Sequence, residues 1–272
     1  MKRRVALVTG GSSGIGMATA RELKKRGFSV YACARRTERM KELESQGIHT
    51  KALDVTSEES MNSCVEAIIK KEGRIDVLIN NAGYGSYGAI EDVTMEEARR
   101  QVEVNLFGLA RMTQLVLPQM RKQHSGKIVN ISSMGGRVWT GFGGWYHTTK
   151  YAVEGFSHCL RIETAPFGIH VIIIEPGVIA TDWGTIAADH LSQTSAGGAY
   201  AKNAERTAGR MRHFYSGKSM TNPETIACCI GKAVTARRPR TRYLLGFGAR
   251  PAVIFHAIFG DRIYDWLIQK IF

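Results

Sequence analysis

The run Val5-Ala6-Leu7-Val8-Thr9-Gly10-Gly11-Ser12-Ser13-Gly14-Ile15-Gly16 constrains the fold more than any other part of the chain. Its apolar start reads as a strand buried on both faces, its glycines as a tight turn, and the pattern from Met17 to Arg26 as a helix. A strand that feeds a helix in this way leaves free amides and the positive end of the helix dipole at the turn, which makes an anion site. Glycine lets backbone approach a ligand closely. The spacing Gly-x-x-x-Gly-x-Gly differs from the commoner dinucleotide fingerprint Gly-x-Gly-x-x-Gly. Taken alone, the glycine cluster also fits an ordinary strand-to-helix turn.

Further apolar runs at Phe28–Cys33, Ala52–Val55, Ile75–Ile79, Lys127–Ile131 and His170–Ile174 alternate with helical patterns. Their β-branched, nearly continuous character predicts strands of a parallel sheet, closed by right-handed crossover helices into a doubly wound α/β fold. With 272 residues, 44% of them hydrophobic, the chain is long enough for one sizeable core, and no linker, repeat or low-complexity tract divides it. Five cysteines, an odd count with no Cys-x-x-Cys pair, suggest neither a zinc site nor a disulfide framework, so no metal is expected. Reduced thiols and a start too short for a signal peptide lead to the expectation of a cytoplasmic protein.

Tyr146 and Lys150 stand four apart, with Ser133 thirteen residues before the tyrosine. On a helix the phenol and the ammonium share one face, one turn apart. A free phenol titrates near about 10, and a fixed cation beside it favours phenolate, so Lys150 is expected to lower the Tyr146 pKa and fit it for acid–base work. Alone, such a pair also describes a solvated helix face.

The ordered set Thr9-Gly10-x-x-x-Gly14-Ile15-Gly16, Asn80-Asn81-Ala82-Gly83, Asn105, Ser133, Tyr146-x-x-x-Lys150 and Pro176-Gly177 resembles the short-chain dehydrogenase/reductase family over roughly the first 185 residues. The resemblance implies a single Rossmann-type domain, a nicotinamide dinucleotide, and hydride transfer between an alcohol and a ketone or aldehyde. It also implies roles. Tyr146 exchanges a proton with the carbonyl oxygen, Ser133 hydrogen-bonds that oxygen, Lys150 tunes the tyrosine and holds the ribose, and Asn105 orders a water linking Lys150 to solvent. Ser132 is read as structural, and His147 as pointing off the catalytic face.

The expected cofactor contacts are Gly10, Ser12, Ser13, Gly14, Ile15 and Gly16 at the glycine turn and Asp54 with Val55 beside the adenine. Asn81, Ala82 and Gly83 follow strand four, and Pro176, Gly177, Val178, Ile179 and Thr181 follow strand six, where Thr181 meets the carboxamide. Strand two ends in Ala34-Arg35-Arg36. An acid there bonds the ribose hydroxyls of NAD, whereas arginine accommodates the phosphate of NADP by its forked donors. NADP(H) is therefore expected, held by Arg35 and Arg36.

Tyr87, Met134, Val138, Trp145 and Trp183 are the expected substrate-pocket residues, with Tyr84 and Trp139 as further candidates, and their character suits a hydrophobic secondary alcohol or its steroid-, retinoid- or lipid-like ketone. Within the single domain, residues 4–183 would form the cofactor-binding and catalytic core. A mobile, small-residue lid would span 184–220, and 221–272 would add a helix, a strand and an apolar tail. The Gly260-Asp261-Arg262 break makes the tail too interrupted for a membrane span. It is expected to cap the pocket, the alternatives being a subunit contact or weak contact with a membrane surface.

The net charge of +13 is spread over many helices without a helix-turn-helix or zinc signature, so nucleic acid is not an expected partner. Attraction of a polyanionic cofactor explains part of it. A homodimer or homotetramer is expected. A non-catalytic NADP(H)-sensing module would not need Ser133, Tyr146, Lys150 and Asn105 together; a membrane-surface acyl-ketone reductase stays open as a variant of the same chemistry.

Overall fold

The computed structural model describes residues 3–216 and 220–271; Met1, Lys2, Phe272 of the tail and Gly217, Lys218 and Ser219 of the expected lid lie outside them. Along the chain run β1 (Val5–Thr9), α1 (Gly14–Lys25), β2 (Ser29–Ala34), α2 (Lys41–Ser45), β3 (His49–Ala52), α3 (Glu58–Glu72), β4 (Val77–Asn80), α4 (Met95–Val102), α5 (Gly108–Lys122) and β5 (Gly126–Ile131). They are followed by α6 (Gly144–Thr164), β6 (Ile169–Pro176), α7 (Trp183–Thr194), α8 (Ala201–Ser216), α9 (Pro223–Thr235), β7 (Arg242–Leu245) and α10 (Ala249–Ile271). The strands form one parallel sheet of seven in the order β3-β2-β1-β4-β5-β6-β7. Chain progression reverses between β1 and β4, and a crevice opens at their carboxyl ends.

Alternate residues of each strand enter opposite cores, which is why the strands read as continuous apolar runs. Ala6, Val8, Val30 and Ile172 pack with Leu23 of α1 and Ile226 and Ile230 of α9. Leu7, Leu78, Ile128 and Val171 pack on the other face with Ile68 of α3, Met112 and Val116 of α5, and Leu160 of α6. The third strand is the exception to the sequence reading. It runs His49–Ala52 rather than Ala52–Val55, because an edge strand is partly solvated and its His-Thr-Lys-Ala sequence lacks an apolar run. The buried Leu53 and Val55 belong to the loop beyond it.

One further expectation is corrected, the capping of the pocket by the tail. The region anticipated as a mobile lid forms α7 and α8, packed through Ala187, Ala188 and Leu191 against Ala204, Ala208 and Met211. Its small residues allow close helix packing. The tail forms α10, broken at Gly260 (φ 69°), and packs beside the pocket rather than over it. Val253 and Tyr264 cluster with Val138, Met134 and Trp139, Trp139 Nε1 donates to Asp265 at 2.8 Å, and no α10 residue lines the central cavity.

Gly16 shows how the first turn is fixed. A Cβ there would lie 2.2 Å from the Gly10 carbonyl oxygen and 2.5 Å from Asn81 Nδ2. Asn81 Nδ2 itself donates to the carbonyls of Thr9 and Gly10, stitching β4 to the turn after β1. Gly16→Ala is expected to destabilise by about 1–3 kcal/mol, since rigid backbone must move. Gly155→Ala, on an α6 surface with nothing within 4 Å of the added carbon, should stabilise by about 0.5–1 kcal/mol. Calorimetric melting checks both, and an unchanged or raised Tm for Gly16→Ala contradicts the packing account.

Candidate active site

The carboxyl ends of β1, β4, β5 and β6 face one cavity of about 860 Å³. Gly10, Ser12, Ser13, Gly14 and Ile15 line its first wall, where Gly10 (φ 65°) and Gly14 (φ 51°) hold left-handed conformations that favour glycine. Ser13, extended at the α1 N-cap, makes no side-chain cap bond, so the first-turn amides of α1 are left uncapped. Gly16 is not on the wall and acts through packing. Arg35 and Arg36 reach the cavity as expected, joined by Arg21 and Arg39, which sequence reasoning missed. Asp54 and Val55 also line this end. Burial raises the Asp54 pKa, but hydrogen bonds from Thr56 and the charges of Arg35 and Arg100 outweigh it and hold the carboxyl below its usual range.

Asn81, Ala82 and Gly83 continue the wall, and Pro176, Gly177, Val178, Ile179 and Thr181 close it after β6. Ser133, Tyr146 and Lys150 share the wall between these two stretches. Gly135 N–H donates to Ser133 Oγ at 3.0 Å, which fixes that hydroxyl beside the phenol. Lys150 Nζ donates to the Ile131 carbonyl at 2.9 Å and lies 5.8 Å from the Tyr146 ring centre.

Asn105 is placed differently from the other three. It is buried in a π-helical segment over Glu103–Phe107 and does not line the cavity. Its Oδ1 accepts Tyr84 N–H at 3.0 Å, while its Nδ2 donates to Tyr84 O at 2.9 Å and Thr149 Oγ1 at 3.1 Å. Both amide hydrogens thus serve protein partners, and the residue ties the loop after β4 to the turn of α6 that carries Lys150.

Burial pushes Tyr146 up to about 12, with the Ser133 hydrogen bond pulling the other way. The expected lowering of the phenol pKa by Lys150 is therefore corrected: in the protein's own geometry desolvation is the larger effect. The same burial pushes Lys150 down to about 8, opposed by Glu154. At neutral pH the wall offers a neutral phenol with a proton to give and a lysine close to its own titration.

The far end of the cavity is aromatic. Trp183 and Tyr87 lie 5.0 Å and 6.0 Å, centre to centre, from Tyr146, and Tyr215 lies 6.3 Å from Trp183. Met134, Tyr87 and Trp183 line the space as anticipated, whereas Tyr84 lines the cavity beside Arg100, its hydroxyl donating to Glu97 at 2.9 Å. Val138 and Trp145 do not; Val138 is buried against α10, and Trp145 sits half-buried outside the lining, as does Trp139 under α10. His147 does reach the lining, but its ring is held between Gly135 O and Thr140. The lid residues Met211, Phe214 and Tyr215 were missed, although with Thr207 they recur at the spacing of one helix face. His190, near Ser86 Oγ at 3.2 Å, is a polar group of this wall that no local pattern announced.

The sequence profile described as short chain dehydrogenase matches residues 4–190. The chain is 37% identical over 248 residues to a 3-ketodihydrosphingosine reductase of Bacteroides thetaiotaomicron, covering 90% of this chain and 89% of that one. It is 32% identical over 282 residues to an NADPH-dependent 3-dehydrocapnine reductase of Ornithobacterium rhinotracheale, covering 98% and 96%. A crystal structure of a short-chain dehydrogenase from Streptomyces avermitilis superposes with a TM-score of 0.82 at 35% identity, covering 95% of this chain and 93% of that one. The glycine turn, the Ser133-Tyr146-Lys150 wall and these matches together make the chain a member of the short-chain dehydrogenase family.

Proposed function

We propose that the protein is an NADP(H)-dependent reductase that interconverts an apolar ketone and its secondary alcohol. The observation that carries this reading is one cavity with a cationic, amide-rich end, an aromatic end, and Ser133, Tyr146 and Lys150 between them. Uncapped first-turn amides of α1 fit a pyrophosphate, and the guanidinia of Arg35 and Arg36, with Ala34 in place of an acid, fit a further phosphate. When bound, the nicotinamide supplies the hydride. Tyr146 gives its proton to the carbonyl oxygen during reduction, and Ser133 Oγ hydrogen-bonds the same oxygen. General acid help of this kind contributes roughly 10²–10⁴-fold.

The aromatic end favours a lipid-like substrate over a small polar one. The relative named for reducing 3-ketodihydrosphingosine supports a ketone on a long apolar chain. Two apolar surfaces outside the cavity extend the reading. Ile258 (68% exposed), Ile263 and Trp266 (61% exposed, with Lys270 over its ring) of α10 face outward beside Arg262, with the acids Asp261 and Asp265 on the same helix, and this apolar and basic surface suits an anionic membrane surface. Among the described residues no helix is long and apolar enough to cross a membrane. Phe107, Tyr151 and Ile162 leave a second free surface around α5 and α6, suited to another copy of the chain in a homodimer or homotetramer, whose mass light scattering would report.

Tyr146→Phe should lower kcat for ketone reduction by at least about 10²-fold while NADPH binding, read by fluorescence titration, is unchanged. Retained turnover would remove the phenol from the reaction. The chain should co-sediment with anionic vesicles at low salt and be released when residues 251–272 are deleted, with reduction of a small soluble ketone unaffected. Identical sedimentation of both proteins would contradict the lipid-surface reading.

A further inference from the structure

Behind the Tyr146 wall lies a group of charges that the proton transfer above does not use. Lys150, Glu154 and His158 follow one another at four-residue steps on α6, so they share one stripe. Glu154 is 6% exposed and Glu175, at the end of β6, is 0% exposed. Arg242 of β7 holds both: its Nη2 donates to Glu154 Oε2 at 2.6 Å, and its Nε lies 3.1 Å from Glu175 Oε1. Arg137, in the turn after Ser133, adds a guanidinium 3.5 Å from the same Glu175 oxygen. Glu154 is also fixed from above, since a Cβ on Gly136 would lie 3.1 Å from its Cγ and 2.8 Å from Ser132 Oγ. The acid is thus packed under the turn that carries Ser133, one helical turn from Lys150.

We propose that Glu154, paired with Glu175 and clamped by Arg242, is a positioning residue whose negative charge holds Lys150 in its cationic form. The proposal rests on the reading of Lys150 given above. Two buried carboxylates that share one guanidinium, that of Arg242, resist ionising together, so the pair favours sharing one proton. Glu154 Oε1 and both Glu175 oxygens are buried and make no well-aligned hydrogen bond, although Arg242 and Arg137 approach Glu175 Oε1 as ion-pair partners, and a shared proton would satisfy them. Burial first, and the neighbouring Glu154 charge second, push Glu175 up to about 7, while Arg242 and Arg137 oppose them. Of the two acids, Glu154 makes the shorter bond to Arg242, at 2.6 Å against 3.1 Å for Glu175.

The other groups around this stripe are accounted for. His158 sits between Arg242 Nη2 at 3.0 Å and Arg161 Nη1 at 2.9 Å; burial and these two cations lower its pKa and keep it neutral. Tyr146 faces Lys150 from the preceding turn as a neutral phenol, and the β5 contact is the uncharged Ile131 carbonyl. Tyr151 and the α10 residue Asp261 lie on the exposed side of α6. Glu154 is therefore the group that raises the Lys150 pKa against burial.

The sign is testable. Lys150 is cationic below its folded pKa, so a rate that needs the cation is full below about 8 and falls as pH rises through it. In Glu154→Gln the alkaline limb of kcat/KM for NADPH-dependent ketone reduction should move about one pH unit lower. In Glu154→Asp, which keeps the charge one methylene further back, the limb should lie between the two, and this variant carries the test if Glu154→Gln fails to fold. Titration of the Lys150 Cε resonance in ¹³C-lysine protein, assigned by Lys150→Met, reads the same shift without turnover. A limb and a resonance that titrate alike in wild type and both variants would overturn the proposal. A shifted resonance without reductase activity in wild type would sink the reading of the site and leave the charge coupling standing.

Discussion

Burial of the polar stripe of α6 against the sheet is the interaction on which the site depends. Lys150 reaches the site with its ammonium on the Ile131 carbonyl, and Tyr146 beside it is 8% exposed. Away from water each group is driven toward its neutral form, so the phenol keeps its proton and the lysine approaches neutral titration. A phenol in that state is a proton donor that still needs a partner to stabilise the charge left behind. In the proposed reaction, Ser133, fixed by Gly135 N–H, and Lys150, with Glu154 behind it, would supply that stabilisation.

The division of the cavity into a cationic and an aromatic end follows from chain direction. Reversal between β1 and β4 puts the α1 amides and the Arg35–Arg36 pair on one side of the crevice. Chain that continues past β6 can only return over the other side, and it does so as α7 and α8, which bring Trp183, Met211 and Tyr215. Asn105 and Gly16 support this frame without facing the cavity. One ties the loop after β4 to α6, the other lets the first turn close on Asn81.

What could be read in the sequence followed the range of the forces involved. Strands buried on both faces show as apolar runs, so five of the seven strands, the glycine turn and the Tyr146–Lys150 spacing were visible locally. The partly solvated β3 was misplaced because its neighbours, not its residues, make it a strand. The roles attached to Ser133 and Thr181 came from family resemblance, since no short-range physics links them to Tyr146. Val138 and Trp145 have the right character for a pocket and the wrong direction, and direction is set by how α10 and α6 pack. The pKa expectation erred in the same way: spacing shows the charge beside a phenol but not the desolvation around it.

Transfer of deuterium from NADPH labelled at the transferring position of its nicotinamide to a long-chain ketone, with labelled NADH in parallel, tests the central claim most directly. The account predicts label on the carbinol carbon of the alcohol, formed faster from NADPH than from NADH. Alcohol without label, or no alcohol from any apolar ketone under conditions where NADPH binds, would contradict it.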